Sequence, residues 1–155
     1  MDNFCKTILF IITLNILLIG NNNHINFKHI GIDEGLSQSS VTGIIQDNKG
    51  YIWFATQEGL NRYDGYNIKH YKQNPRDSLS LSNNYIASMM KDSHGRIWIG
   101  TMIGGISRYN PKLDIFNNFY YQKENTNSIS SNRIYDIYED SEKNIWIGTE
   151  NGLNK

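Results

Sequence analysis

Apolar residues recur in short runs of four to six along most of the chain, and the runs come in phase. One run after a tight turn is apolar on both parities: Tyr51–Ala55, Ile97–Ile99 and Ile145–Ile147. Such a run predicts a strand covered on both faces. Each follows a turn with Asp at its first position: Asp47-Asn48-Lys49-Gly50, Asp92-Ser93-His94-Gly95 and Asp140-Ser141-Glu142-Lys143. Asp first and Gly fourth is the preference of a type I turn, because the carboxylate accepts from nearby backbone N–H groups and Gly closes the turn. The third copy has Lys143 in place of Gly50 and Gly95, with Asn144 next, so its turn is expected to survive with altered geometry, Asn tolerating a left-handed backbone. The only tryptophans, Trp53, Trp98 and Trp146, lie six residues after these aspartates, 45 and 48 residues apart. A period of that length marks a repeat architecture.

The repeat extends in both directions. Leu36-Ser37, Leu81-Ser82 and Ile129-Ser130 each precede the turn Asp, followed by the apolar pairs at Ile44-Ile45, Met89-Met90 and Ile137-Tyr138. Downstream, Gly59-Leu60-Asn61-Arg62-Tyr63 matches Gly105-Ile106-Ser107-Arg108-Tyr109, and Gly152-Leu153-Asn154-Lys155 begins the same element. Four short strands per repeat are predicted, near 41–46, 51–56, 60–63 and 67–71 in the first. The fold class is therefore all-β: four-stranded antiparallel sheets stacked as β-propeller blades, about two and a half of them, an open fragment of a larger propeller. The blades are expected at 36–71, 81–121 and 129–155, the last incomplete, joined by the polar connectors around 74–78 and 124–128. The tryptophans, on the most apolar strand, are expected between blades. The tyrosines and phenylalanines at Tyr63, Tyr66, Tyr71, Tyr109, Phe116, Phe119, Tyr120 and Tyr121 fall on outer strands, where some exposure is expected.

The N-terminus reads differently. Thr7–Gly20 is broken only by Asn15 and follows a single Lys6. It is short of the roughly 20 residues of a membrane span and suits the apolar region of a signal peptide. Residues 1–20 are accordingly a signal peptide or an N-terminal anchor, with a buried terminal element as the alternative. Cys5, the only cysteine, leaves no disulfide framework. Residues 21–35 form a linker that holds one further strand: Asn26-Phe27-Lys28-His29-Ile30 repeats the last strand of the first blade, Asn67-Ile68-Lys69-His70-Tyr71. A terminal strand of that kind can close a propeller by completing its final blade, hiding an edge.

Composition removes function classes. Fifteen basic and fifteen acidic residues balance to zero net charge, which gives no electrostatic footprint for nucleic acid. His24, His29, His70 and His94 lack metal-ligand spacing, no phosphate-cradling Gly loop occurs, and no serine sits in a nucleophile elbow. No catalytic residue, metal or cofactor is assigned. Asp47, Gly50, Trp53, Asp92, Gly95, Trp98, Asp140 and Trp146 are read as structural repeat residues. Ligand-binding candidates lie on loops expected to share one end of the blades. Ser39, Ser40, Asn84, Tyr85, Asn132 and Arg133 precede the first strands. Gln57, Glu58, Met102, Glu150 and Asn151 join the second and third.

The pattern Asp47-x-x-Gly50-x-Ile52-Trp53, with Thr56-x-x-Gly59-Leu60-Asn61-Arg62-Tyr63-Asp64-Gly65-Tyr66 and Gly35-Leu36-Ser37-Gln38, resembles the two-component regulator propeller repeat. The resemblance covers Phe27 to Lys155. It implies the N-terminal part of the periplasmic sensor region of a hybrid two-component histidine kinase, inner-membrane anchored and able to form a homodimer. An oligosaccharide or other small ligand, and further blades of a longer chain, would be its partners. Kinase activity would lie beyond Lys155, so the chain itself is expected not to be an enzyme. The rival readings are a secreted scaffold propeller and a propeller enzyme resembling streptogramin lyases.

Overall fold

A computed structural model describes residues 25–155. The expected leader and Cys5 lie outside the described residues. Eleven strands form three antiparallel sheets. The first holds β1 (Val41–Gln46), β2 (Ile52–Thr56), β3 (Gly59–Tyr63) and β4 (Ile68–Tyr71). The second holds β5 (Ile86–Lys91), β6 (Ile97–Thr101), β7 (Ile106–Asn110) and β8 (Ile115–Phe119). The third has β9 (Ile134–Glu139), β10 (Ile145–Thr149) and β11 (Gly152–Asn154). Each sheet runs in simple up-and-down order, as the expected blades do. No helix of the described residues is long and apolar enough to cross a membrane.

Register explains which residues meet. Ile45, Trp53, Arg62 and Lys69 stand opposite one another across the first sheet, and Ile44, Phe54, Asn61 and His70 do so on its other face. The Trp face of the first sheet packs against Ile97, Ile99, Tyr109 and Phe116 of the second. The Trp98 face of the second packs against Ile137, Ile145 and Ile147 of the third. The stacking rule is therefore polar in the head-to-tail sense: one face of each sheet always meets the opposite face of the next.

The first strands lie side by side and approach closely. Thr42 Oγ1 donates to Ile86 O of the next sheet at 3.0 Å. A Cβ added to Gly100 would lie 2.6 Å from Ile134 Cγ2, so glycine lets the second and third sheets meet. Gly148, the matching position in the third sheet, has only backbone of its own sheet within 4 Å. Outer positions carry large rings instead. Tyr71, Tyr109 and Phe116, expected to be partly exposed, are 8%, 5% and 2% exposed. The sheets are close at their first strands and bridged by rings farther out, and that wedge needs aromatic volume.

Two other expectations change. Asn26–Ile30 forms no strand, and Phe27 is 93% exposed. The third turn keeps the geometry of the other two instead of altering it. Lys143 itself adopts φ 70°, beside 88° for Gly50 and 78° for Gly95. Lys143 N–H donates to Asp140 O at 3.0 Å, as Gly50 does to Asp47 and Gly95 to Asp92. Asn144 stays outside the left-handed region and uses its side-chain amide to donate to Asp140 Oδ2 at 2.9 Å.

Candidate functional site

The turn aspartates do more than form turns. In every copy one carboxylate oxygen accepts from two backbone N–H groups. Asp47 Oδ1 takes Lys49 and Tyr51, Asp92 Oδ1 takes His94 and Arg96, and Asp140 Oδ1 takes Glu142 and Asn144. The other oxygen accepts the indole N–H six residues on. Trp53, Trp98 and Trp146 donate to Asp47, Asp92 and Asp140 at 2.9, 2.8 and 2.7 Å. The bond satisfies a donor that packing would otherwise bury unpaired. The indole of Trp146, followed by the Asn144 amide, holds the Asp140 carboxyl down to about 2. Burial raises the Asp92 carboxyl, but the Trp98 and Arg96 hydrogen bonds outweigh it and leave it lowered.

A second repeated device ties the segment before each sheet to its middle. Ser37 N–H donates to Asn61 Oδ1 at 2.9 Å, and Ser37 Oγ pairs with Thr56 Oγ1 at 2.9 Å. The third sheet repeats both bonds with Ser130, Asn154 and Thr149 at 2.9 and 2.8 Å. The second uses Ser107, which accepts Ser82 N–H at 3.0 Å. These contacts account for the Leu-Ser and Gly-Leu-Asn signatures.

The two candidate loop sets come together at one end. Within the second sheet Met102 N–H donates to Tyr85 O at 3.0 Å, and within the third Glu150 N–H donates to Arg133 O at 3.1 Å. Between sheets, Gly59 N–H donates to Asn84 O at 2.9 Å and Gly105 N–H to Asn132 O at 2.8 Å. The result is a continuous row from Gln57-Glu58 through Asn84-Tyr85 and Met102 to Asn132-Arg133 and Glu150-Asn151. Ser39 and Ser40 sit exposed at its first-sheet end.

Members of that row differ in what their side chains are already doing. Asn84 Oδ1 accepts Gln73 N–H and Asn132 Oδ1 accepts Tyr121 N–H, both at 2.7 Å, so these amides hold the crossings between sheets. Asn151 Nδ2 donates to Ser130 O at 3.4 Å. Arg133 and Glu150 form an exposed ion pair at 2.9 Å. Ser39, Gln57 and Glu58 make no side-chain hydrogen bond among the described residues, and Tyr85 presents its ring to solvent.

One cluster has no copy and was not legible beforehand. Asp114, in the β7–β8 turn at φ 58°, accepts Tyr71 OH at 2.7 Å and Tyr109 OH at 2.6 Å through Oδ1. Its Oδ2 takes Lys69 Nζ. Arg62 lies over Tyr51, 4.7 Å from the ring centroid, with Nη1 3.8 Å from Asp114. Partial burial raises the Asp114 carboxyl, yet the Lys69, Tyr109 and Tyr71 hydrogen bonds prevail and bring it to about 2. Burial pushes the Tyr71 and Tyr109 phenols up, and both donate to Asp114. The cluster clasps the first sheet to the second and is structural in geometry.

Three segments, residues 35–58, 80–102 and 128–151, match the family described as two component regulator propeller. The three repeats are therefore similar to those of the two-component regulator propeller family. A curated relative, "Histidine kinase P4" of Formosa agariphila, is 46% identical over 69 residues, 44% of this chain and 5% of that protein. Among solved structures, the extracellular domain of the hybrid two component system BT3049 from B. thetaiotaomicron superposes with TM-score 0.74 and 28% identity, over 83% of this chain and 20% of that one. The corresponding domain of BT4673 gives TM-score 0.61 at 25% identity, over 83% and 16%. The chain thus spans a small part of each protein it resembles. The Asp–Trp bond and the Ser–Asn tie are the physical content of the propeller-repeat signature in this chain.

Proposed function

We propose that this chain is the ligand-reading propeller segment of a hybrid two-component sensor, placed on the periplasmic side of the membrane and answering an oligosaccharide. The observation that carries the reading is the combination of three phased regulator-propeller repeats with a backbone like the extracellular domains of two such systems. Chemistry at the loop row supports the ligand class. Tyr85 offers an exposed ring on which a sugar can stack, and Gln57, Glu58 and Ser39 offer polar groups for hydroxyls. The Arg133–Glu150 pair adds directional donors and acceptors. Autophosphorylation belongs to kinase parts of the longer protein, so the chain itself performs no phosphoryl transfer.

Calorimetric titration of the purified chain against a panel of neutral and acidic oligosaccharides tests the ligand. One member should bind, and Tyr85→Ala should weaken it about tenfold, the size of roughly 1.4 kcal/mol. Binding unaffected by changes at Tyr85, Glu58 and Arg133 would move the site off this row. A reporter phosphatase active only after export, fused after Lys155, tests the placement, and a silent fusion would count against it.

A further inference from the structure

At the end of the sheets opposite the loop row, the turns of the first two sheets meet and leave a cleft. The β1–β2 turn (47–50), the β5–β6 turn (92–95) and the β7–β8 turn (111–114) all lie at this end, because the strands reverse there. Gly95 lets the first two turns approach. A Cβ on it would collide with Asn48 Nδ2, and its φ of 78° suits glycine as well. Beside them opens a cleft of about 180 Å³. Its carbon walls come from Ile97, Tyr109 and Pro111, the first two only 2% and 5% exposed. An apolar cavity of roughly 150 Å³ takes one benzene ring. The cleft therefore has room for a single ring with a small substituent.

The polar groups around it decide which substituent. The acceptors are already engaged. Asp47 Oδ1 accepts Lys49 and Tyr51 N–H, and its Oδ2 accepts the Trp53 indole. Tyr109 OH donates to Asp114 and accepts from Arg62 Nη1 at 3.3 Å. Lys91 Nζ donates to Asn48 Oδ1 at 3.3 Å. An ammonium can only donate, so this bond points the other end of the amide, its NH₂, towards Gly95. The groups left without a side-chain partner among the described residues are the Asn48 NH₂, the Lys49 ammonium and the His94 ring. All three residues are exposed at the rim. A sugar would bring several hydroxyl donors and find no free acceptor on these walls, and a buried unpaired donor is costly. A flat apolar ring carrying one anionic group leaves nothing unpaired. The Asp47 carboxylate at the wall keeps that anion at the rim, beside Lys49, with the ring turned inward.

We propose that this cleft binds a single-ring aromatic carboxylate, its ring against Ile97, Tyr109 and Pro111 and its carboxylate held by Lys49, Asn48 and His94. The site shares no residue with the loop row and is independent of the sensor reading. A ligand there touches turns of two sheets at once. It therefore binds only the stacked arrangement and stabilises the contact in which Trp53 is buried.

Benzoate is the probe, with benzamide as its uncharged counterpart of the same shape. Titrated into the isotope-labelled full chain and followed by NMR, benzoate should shift the backbone amide signals of Lys49, Gly95 and Ile97 saturably. Signals of Gln57, Tyr85 and Arg133 in the loop row should stay in place. Benzamide should bind about fivefold more weakly, the upper range for an ion contact at a surface. Lys49→Met, an exposed change that keeps most of the stem, should weaken benzoate by the same factor and leave benzamide unaltered. Absence of saturable shifts would overturn the proposal. So would equal binding of benzamide, shifts confined to the loop row, or benzoate binding indifferent to Lys49→Met.

Discussion

The two contacts between sheets are built from the same repeat yet differ in kind. Between the first and second sheets, Trp53 is fully buried, stacked on Tyr71 at 5.5 Å and tilted against Tyr109 at 4.7 Å. Phe116 and the Asp114 clasp close the outer side. Between the second and third sheets, the core is aliphatic, made by Ile106, Ile134, Ile137 and Ile147. Trp98 is only half-buried there and its neighbouring ring, Phe119, is 40% exposed. The signature residues are equal in the two places. What differs is the outer strand of the following sheet, present in the second sheet as β8 and without a counterpart in the third among the described residues. The Trp of one repeat is thus completed by the last two strands of the next, and a repeat's signature alone does not state how buried its Trp will be.

The largest way to break this contrast is truncation of the two indoles. Trp53→Ala should cost about 3–5 kcal/mol, as large aromatic truncations in closed cores do. Trp98→Ala should cost clearly less, about 1.5–3 kcal/mol, in line with partial burial. Urea melts of both variants provide the check. Equal losses would mean the second contact is as closed as the first.

Next comes the acid response of the clasp. Asp114 is held down to about 2 in the folded chain from an ordinary value near 3.8. A depressed carboxylate contributes stability that is complete above its unfolded value and lost as pH falls through the folded one. The native chain should therefore lose stability between about pH 4 and 2, and Asp114→Asn should remove part of that loss. Thermal melts across this window would show it. Asp140, also held to about 2, titrates in the same window, so the difference between native and Asp114→Asn is the quantity to read.

The smallest effect belongs to the third turn. Lys143 occupies a left-handed backbone position that costs a residue with a Cβ about 1 kcal/mol. Lys143→Gly should raise stability by roughly that amount, measured as a rise in the urea midpoint at constant slope. An unchanged midpoint would mean that Lys143 relieves the cost elsewhere.

Much of the fold was legible because its determinants are local and repeated. Strand limits at Val41–Gln46 and Ile68–Tyr71 follow from turn chemistry and apolar runs, and the loop row follows from phase alone. The Asp–Trp bond could have been read from the constant six-residue spacing. The burial of Tyr71, Tyr109 and Phe116 was not legible, because it depends on sheets that meet at their first strands and leave a gap only rings can fill. The Asp114 clasp was hidden for another reason: it occurs once and depends on a positive φ in a turn without Gly. Asn84 and Asn132 were read as ligand-binding candidates on loops, and their use in fastening crossings between sheets appears only once neighbouring sheets are in place.

The central claim is that one repeat's Trp is completed by the outer strands of the next. The exchange rates of the three indole N–H protons, followed by NMR, test it most directly. All three donate to an aspartate at 2.7 to 2.9 Å, so differences report burial. Trp53 should exchange far more slowly than Trp98 and Trp146. Three equal rates, or slowest exchange at Trp146, would contradict the account.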